Sequence, residues 1–416
     1  MLFAKFLDPL VRSGRLTVID AGGLAHEFGA GDRPAVTIRL HDRSLHWKLF
    51  VRPDFYAGEA YMDGSLTVED GSIYDFLDLI GRNVAAGGRD PFRKGVNRMY
   101  RLFRGLQQFN PIGRSRRNVA HHYDLSGALF DTFLDSDRQY SCAYFLSPRD
   151  TLDEAQVQKC RHIAAKLLLR PGMSVLDIGS GWGGLSLYMA DRLGAKVTGI
   201  TLSEEQLNVA RARAADRRLG GQVQFALRDY RQETDTYDRI VSVGMFEHVG
   251  QRHYDRFFAC LRDRLADDGV ALLHTIGRPD GPGVTNAWIR KHIFPGAYTP
   301  ALSEVTRAIE RAGLWITDIE VLRLHYAETL RHWRGRFLAR LDRVLDLYDA
   351  RFCRMWEFYL AGCEVTFRYL NQAVYQFQIT KRVDAVPIVR SYMDEVERAL
   401  SAAEEEPMRH SSGRAA

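Results

Sequence analysis

The central part of the chain alternates short apolar runs with amphipathic stretches. Ser174-Val-Leu-Asp-Ile178 is an apolar run that stops at a glycine turn, Gly179-Ser-Gly-Trp-Gly183, and a helical pattern opens there. Residues 196–203, 222–227, 237–244 and 269–276 read as four further strands, with helical patterns such as 204–218 and 253–265 between them. Strands alternating with helices predict a parallel, doubly wound α/β sheet. Ligands of such sheets sit at the carboxyl ends of the strands, where Asp177, Thr201, Asp229 and Gly244 fall.

The flanks differ. Residues 14–20, 35–40 and 45–51 carry partial period-two alternation and read as strands, residues 54–63 look helical or turn-like, and residues 72–82 place Ile73, Phe76, Leu77 and Ile80 on one helical face. These predict a small α+β domain over residues 1–88. Residues 331–349 and 351–369 are long helical stretches that enlarge a catalytic domain spanning 119–395. Residues 396–416 are expected to form a C-terminal tail, polar and frayed from Glu404 onward.

Charge matters most between residues 89 and 118. Nine cations stand there (Arg89, Arg93, Lys94, Arg98, Arg101, Arg104, Arg114, Arg116 and Arg117) with Asp90 as the only acid, and Phe92, Val96, Met99, Leu102, Phe103 and Leu106 interleave at helical spacing. The segment reads either as a solvated interdomain helix or as a surface for anionic lipid, where apolar residues enter at headgroup depth while arginines meet phosphate. Basic charge also suits nucleic acid, but no nucleic-acid module accompanies it. At 416 residues there is room for two domains. No run approaches the roughly 20 apolar residues of a membrane span. Residues 1–10 are too short and charged for a secretory signal, and five cysteines at 142, 160, 260, 353 and 363 show no paired metal spacing. A reducing, cytoplasmic setting and no metal are expected.

Gly179 and Gly181 allow positive φ and close approach of backbone to a ligand. The strand, turn and helix that contain them resemble the first unit of a class I methyltransferase, whose turn holds S-adenosylmethionine. A dinucleotide fingerprint aims a helix N-terminus at a pyrophosphate; S-adenosylmethionine has no phosphate, so its turn needs open backbone and nearby carboxylates instead.

Other segments make the resemblance specific: His121-His-Tyr-Asp-Leu125, Gln139-Tyr-Ser-Cys-Ala-Tyr-Phe145, Gly244-Met-Phe-Glu-His-Val249, Leu273-His-Thr-Ile-Gly277 and Leu322-Arg-Leu-His-Tyr-Ala-Glu-Thr-Leu330. With the glycine turn they resemble the cyclopropane-fatty-acyl-phospholipid synthases and the related mycolic acid cyclopropane synthases, over residues 119–395. The N-terminal domain resembles the extra domain of the phospholipid-acting members. The resemblance implies methyl transfer from S-adenosylmethionine to a cis double bond of a phospholipid acyl chain in a membrane, then proton removal and ring closure, with a bound bicarbonate ion as the proposed base. It implies that Cys142, Glu247, His274 and Tyr326, with the backbone at Ile276, hold that ion. It assigns cofactor contact to Tyr140 and Ser141, to Val175, Leu176, Asp177, Ile178, Gly179, Ser180, Gly181, Trp182 and Gly183, to Thr201, Leu202, Ser203 and Gln206, and to Tyr230 and Arg231. Cys363 matches a cysteine considered a nucleophile in the family. Ser180 stands where many relatives have cysteine, a small-for-small change.

The residues fit this chemistry on their own terms. An alkene is a weak nucleophile, so the first step needs positioning against the sulfonium. The resulting carbocation must be kept dry against apolar and π faces, for which Tyr123, Tyr140, Phe145, Phe246 and Phe294 are candidates. A base acts only after transfer, and Glu247 beside an anion must share a proton with it. Bland readings compete: Cys142 and Cys363 as buried thiols, Cys363 packing between Tyr359 and Phe367, and His274 as a structural histidine, with His248 in support. A methyl- or methylene-branched product and a non-catalytic lipid-binding protein are the alternative functions. The expected location is cytoplasmic, at the inner face of the membrane; a homodimer stays open.

Overall fold

The computed structural model describes residues 3–87 and 126–412, with side chains through 404. The basic segment 89–118 and the His121–Leu125 motif, including Tyr123, lie outside the described residues.

The N-terminal unit runs α1 (Ala4–Leu10), β1 (Arg15–Ile19), β2 (Ala25–Phe28), β3 (Ala35–Leu40), α2 (Leu45–Val51), α3 (Pro53–Asp63), β4 (Leu66–Asp70) and α4 (Ile73–Gly87). Its sheet has the order β2-β1-β3-β4, with β1 and β3 parallel and the other pairs antiparallel. Leu16, Val18, Ile38, Leu7, Leu49 and Leu79 fill the core beneath it. Residues 45–51 form a helix, not the expected strand. Leu45 and Leu49, one turn apart, are its buried pair, and Trp47, Phe50 and Val51 point outward; an apolar residue at every second or third position satisfies either period. Strands β2 and β4 escaped the sequence reading because both are short and mostly open to solvent.

The second sheet has the order β10-β11-β9-β8-β5-β6-β7. Strands β5 (Ser174–Ile178), β6 (Lys196–Thr201), β7 (Val223–Leu227), β8 (Tyr237–Val243) and β9 (Leu265–Gly277) are the five expected parallel strands. The sheet is extended by β11 (Ala373–Thr380), antiparallel to β9, and β10 (Trp315–Val321), antiparallel to β11. The chain reverses direction of strand order at β5, which places a crevice between the ends of β5, β6 and β8.

The helices used below are α5 (Leu152–Lys166), α6 (Gly184–Leu193), α7 (Glu204–Asp216), α8 (Tyr254–Arg264), α9 (Ala287–His292), α10 (Leu302–Arg311), α11 (His325–Ala339), α12 (Ala350–Tyr369) and α13 (Tyr392–Ser412). Thr151 and Glu154 cap α5 reciprocally. Helix α13 corrects the expected tail. It lies on α5, with Glu404 taking the Arg161 guanidinium at 2.5 Å and the Tyr188 hydroxyl at 2.6 Å, and with Met393 buried. A polar sequence that pairs its acids with buried partners is ordered by them, a contact invisible in local composition.

The two units share a core. Ala361 of α12 is buried among the N-terminal apolar residues. A side chain added at Gly58 of α3 would meet Trp288 of α9 at 2.4 Å, and one at Gly81 of α4 would meet Val365 of α12 at 2.4 Å; close helix packing here requires glycine.

Candidate active site

Strand β5 is buried along its length and delivers Asp177 to the head of the sheet. The turn that follows bends through Gly179 at φ +87° and Gly181 at φ +55°. A Cβ at Gly179 would strike Met245 at 2.8 Å, whereas a Cβ at Gly181 would meet no atom of the described residues within 4 Å. Gly181 therefore borders open space. That space is a cavity at the ends of β5, β6 and β8. Thirteen of the proposed cofactor contacts line it: Tyr140 and Ser141; Asp177 and Ile178; Gly179, Ser180, Gly181 and Trp182; Thr201, Leu202 and Gln206; Tyr230 and Arg231. Val175 and Leu176 are instead buried within β5, Gly183 sits at the start of α6 under Phe225, and Ser203 caps α7 by accepting from the Gln206 amide at 3.3 Å. Gln139, Ile200, Met245 and His248 also line the cavity, and no short motif marked them for that role.

Polar groups in the wall are positioned by one another. The Thr201 hydroxyl donates to Gln206 Oε1 at 2.9 Å, which turns the Gln206 amide donors to the cavity. Asp229 accepts from the Arg231 backbone N–H at 3.0 Å and grips its guanidinium at 2.7 and 2.6 Å. Asp177 accepts the Ser186 hydroxyl at 2.6 Å, and burial pushes its carboxyl up to about 6. The Ser180 hydroxyl is buried without a partner. A ligand with hydroxyls, an aromatic base and a cationic centre fits this wall: open backbone at Gly181, an unpaired hydroxyl at Ser180, and carboxylates at both ends.

The proposed ion-binding residues come from four elements. Glu247 Oε1 accepts the Ile276 backbone N–H at 2.6 Å, its other oxygen is buried without a hydrogen-bond partner among the described residues, and the Thr275 side chain lies near the carboxyl. Burial pushes this carboxyl up to about 7. His274, two residues before Ile276 and so on the same side of β9, takes a hydrogen bond from the Gln376 amide at Nδ1 (3.2 Å), which leaves the proton on Nε2. Burial holds its ring far below the usual histidine range, and the nearby Lys159 ammonium adds to the effect. Tyr326 is buried on α11, with Tyr140, Cys363, Cys142 and Glu247 within electrostatic range. The Cys142 thiol donates to the Ala143 carbonyl at 3.3 Å, and burial keeps it protonated.

Around these groups the wall is aromatic. The Tyr140 and Tyr359 hydroxyls bond at 2.8 Å, Tyr140 stacks on Trp333, Tyr326 meets Phe367 edge-on at 4.6 Å, and Phe294 lies against both Tyr359 and His248. Phe145 lies farther out, stacked on His332. Phe246 does not line this wall; it packs with Tyr254, Phe257 and Phe258 behind the sheet. Cys363 sits in the apolar cluster that holds Tyr359 and Phe367, and burial pushes its thiol up to about 12. One charged group in the neighbourhood had no sequence signal: Lys159, fully buried on α5, reads there as one more lysine of a capped surface helix.

Among the described residues no group of acids, histidines and cysteines has the arrangement of a metal site, and no helix is long and apolar enough to cross a membrane. A family model for mycolic acid cyclopropane synthetase matches residues 112–377. The chain is 36% identical to a cyclopropane-fatty-acyl-phospholipid synthase of Escherichia coli over 85% of its length and 90% of that protein's. It is 35% identical to a probable fatty acid methyltransferase of Pseudomonas putida over 82% of its length and 86% of that protein's. A solved structure of mycolic acid cyclopropane synthase CmaA1 with SAH and CTAB superposes with a TM-score of 0.61 at 34% identity, covering 65% of this chain and 99% of that one. The glycine turn, the cavity it opens and these matches agree: the chain belongs to the mycolic acid cyclopropane synthetase family and is an S-adenosylmethionine-dependent methyltransferase of the cyclopropane synthase type.

Proposed function

We propose that this enzyme converts the cis double bond of an unsaturated phospholipid acyl chain into a cyclopropane ring. The observation that carries the reading is the lone, buried Glu247 oxygen beside an aromatic, water-poor wall and next to the cofactor cavity. Nitrogen or oxygen acceptors form no carbocation and call for no base set in an apolar, aromatic wall. The names of the E. coli and P. putida relatives support the lipid acceptor.

When bound, S-adenosylmethionine supplies an electrophilic methyl group, and a bicarbonate ion supplies a base of matched strength. The chain's residues do the rest. The wall residues named above hold the cofactor, Tyr140 facing its cavity. Tyr140, Phe294, Tyr326 and Tyr359 exclude water and offer π faces to positive charge on the acyl chain. Balance requires one proton to leave as the third ring bond closes. Glu247, half protonated near neutral pH, shares a proton with the anion; the neutral His274 offers Nε2–H, the Tyr326 hydroxyl a second donor and Ile276 the backbone to which Glu247 is fixed. Cys142 stays a thiol, a donor and not a nucleophile.

Lipids from a host without cyclopropane lipids, expressing this chain, should gain one CH2 and lose the olefinic proton signals by mass spectrometry and NMR. A branched chain with those signals lost or retained at a new position would replace ring closure by the branched product. Unchanged lipids would remove the lipid reading altogether.

The acceptor bond lies deep in a bilayer, so we infer that the enzyme works peripherally at the cytoplasmic face. Trp47, Phe50 and Val51 of α2 are exposed at 59%, 39% and 50%. Arg43 and Lys48 flank them, and beyond Val51 the Phe55 ring carries both Arg52 and Lys291. Aromatic residues ringed by cations fit an anionic lipid interface, and α3 joins this face to α9 and on to Phe294. Substitution of all three apolar residues by Ser is expected to cut binding to phosphatidylglycerol vesicles at least about tenfold. Arg98, Arg101 and Arg104 to Gln should lower it further at low salt, by about 1 kcal/mol per charge at most. Co-sedimentation equal to wild type for both variants would remove these surfaces from docking.

A further inference from the structure

Among the described residues Lys159 is fully buried, on a helix that also buries Gln156, Arg161, His162 and Lys166. A methionine or leucine there would avoid the large cost of desolvating an ammonium. The charge is retained against two acceptors. Nζ donates to Gln139 Oε1 at 2.8 Å and to Ser141 Oγ at 2.8 Å. One turn earlier on the same helix, Gln156 donates to the Gln139 carbonyl at 3.2 Å and the Ser141 carbonyl at 3.0 Å. The short segment from Gln139 to Cys142 is thus held from one side by α5, and the Ala143 N–H is tied to Thr329 of α11 at 3.0 Å from the other.

That segment serves both halves of the site. Tyr140 and Ser141 border the cofactor cavity, and Cys142 lies within range of Tyr326. The Gln139 amide, clasped by Lys159, lies against Gly184 so closely that a Cβ there would meet it at 2.4 Å. The ammonium therefore also buttresses the first residue of α6, where the glycine turn ends. Asp135, which accepts from the Gln139 and Asp137 backbone N–H groups at 2.9 and 3.0 Å, and Asp177 in the cavity floor both feel its charge.

We propose that Lys159 is a positioning residue whose buried ammonium clamps Gln139 to Ser141 and so sets the 139–142 segment and the glycine turn for S-adenosylmethionine. It touches neither cofactor nor acyl chain. The cofactor half of this inference is independent of the lipid acceptor; only its turnover half rests on the function proposed above.

Lys159→Met keeps the length and removes the charge and donors. Calorimetry on the variant should show S-adenosylmethionine binding weakened about tenfold or more, and turnover on unsaturated phospholipid vesicles should fall about a hundredfold, the cost of an ångström-scale misplacement. Its melting temperature should change little beside the loss of binding, because relief from desolvating the ammonium offsets the acceptors left unpaired. A scaffold role would instead lower stability together with binding. Should the methionine variant not fold, Lys159→Gln provides the second measurement: it also removes the ammonium and is too short to reach both Gln139 Oε1 and Ser141 Oγ, so it should weaken the cofactor likewise. Cofactor affinity within twofold of wild type in Lys159→Met, or affinity lost only in proportion to stability, would overturn the proposal. Cofactor affinity within twofold of wild type in Lys159→Gln would do the same. Normal cofactor weakening with no turnover by either protein on any phospholipid would leave the clamp standing and sink the acceptor.

Discussion

Glu247→Gln should lower turnover by about two to four orders of magnitude, the range of general acid–base catalysis, while S-adenosylmethionine affinity stays close to wild type. The glutamine keeps the shape and its Oε1 still accepts the Ile276 N–H, so the local fold is held. It loses the second carboxylate oxygen, which in the wild type is buried without a hydrogen-bond partner among the described residues and with which the carboxyl would share a proton with a bound anion. Loss in kcat without loss of cofactor binding marks an interaction made during the reaction. Bicarbonate depletion should lower wild-type turnover and addition restore it, with the variant indifferent to both. Cys363→Ala in the same assay should stay near wild type, because its thiol remains protonated in an apolar cluster. Indifference of wild type to depletion, or full activity of Glu247→Gln, would take the anion out of the mechanism. The same carboxyl gives a stability signature. Its pKa in the fold, about 7, lies above the ordinary value of 4.5. The folded protein thus keeps a proton that the unfolded chain releases, so this contribution is full below pH 4.5 and is lost as pH rises through 7. Chemical denaturation across that window should show a shallower fall with pH in the glutamine variant.

Gly181→Val should abolish S-adenosylmethionine binding, weakening it at least about a hundredfold, with the protein still folded. Among the described residues no atom lies within 4 Å of the Cβ position, so the new side chain enters the space of the cofactor cavity. The φ of +55° adds a backbone cost of about 1–2 kcal/mol for a residue other than glycine, a few degrees of melting temperature in a chain of this size. Gly181→Ala separates the terms: it carries the same backbone cost with less bulk, and should bind with intermediate affinity. Calorimetry and thermal melts on the three proteins provide the test, and unchanged affinity in the valine variant would place the cofactor elsewhere.

Much of this was legible because it repeats. Five parallel strands were found from the apolar runs 174–178, 196–203, 222–227, 237–244 and 269–276, within a few residues of their ends at Ile178, Thr201, Leu227, Val243 and Gly277, since strands buried on both faces leave continuous hydrophobic signatures. Strand β11 was not found although every residue of it is buried. Its polar residues disguise it: Gln376 bonds His274, and Gln378 bonds the Lys166 carbonyl and the Tyr392 hydroxyl. Glutamine looks like surface until its partners are known. Lys159 and the acids of α13 were obscure for the same reason. The residues of the candidate site stood out through family-like motifs, not through periodicity. Phe246 shows the limit of that approach: one residue before Glu247, it faces the opposite way, because a 3₁₀ turn there rotates neighbours apart.

Helix α12 has two occupied sides. Ala361 is buried in the N-terminal core with Phe358 packed beside it, while Tyr359, Cys363 and Phe367 belong to the cluster around Tyr326. One rod is thus the roof of one compartment and the wall of another. The N-terminal unit thus packs directly on the helix that carries Tyr359, Cys363 and Phe367, and without it Ala361 and Phe358 would face water. Conversely, α3 and α4 bear directly on α9 and α12 through the close contacts at Gly58 and Gly81. The arrangement makes the outer surface and the reaction chamber a single mechanical part.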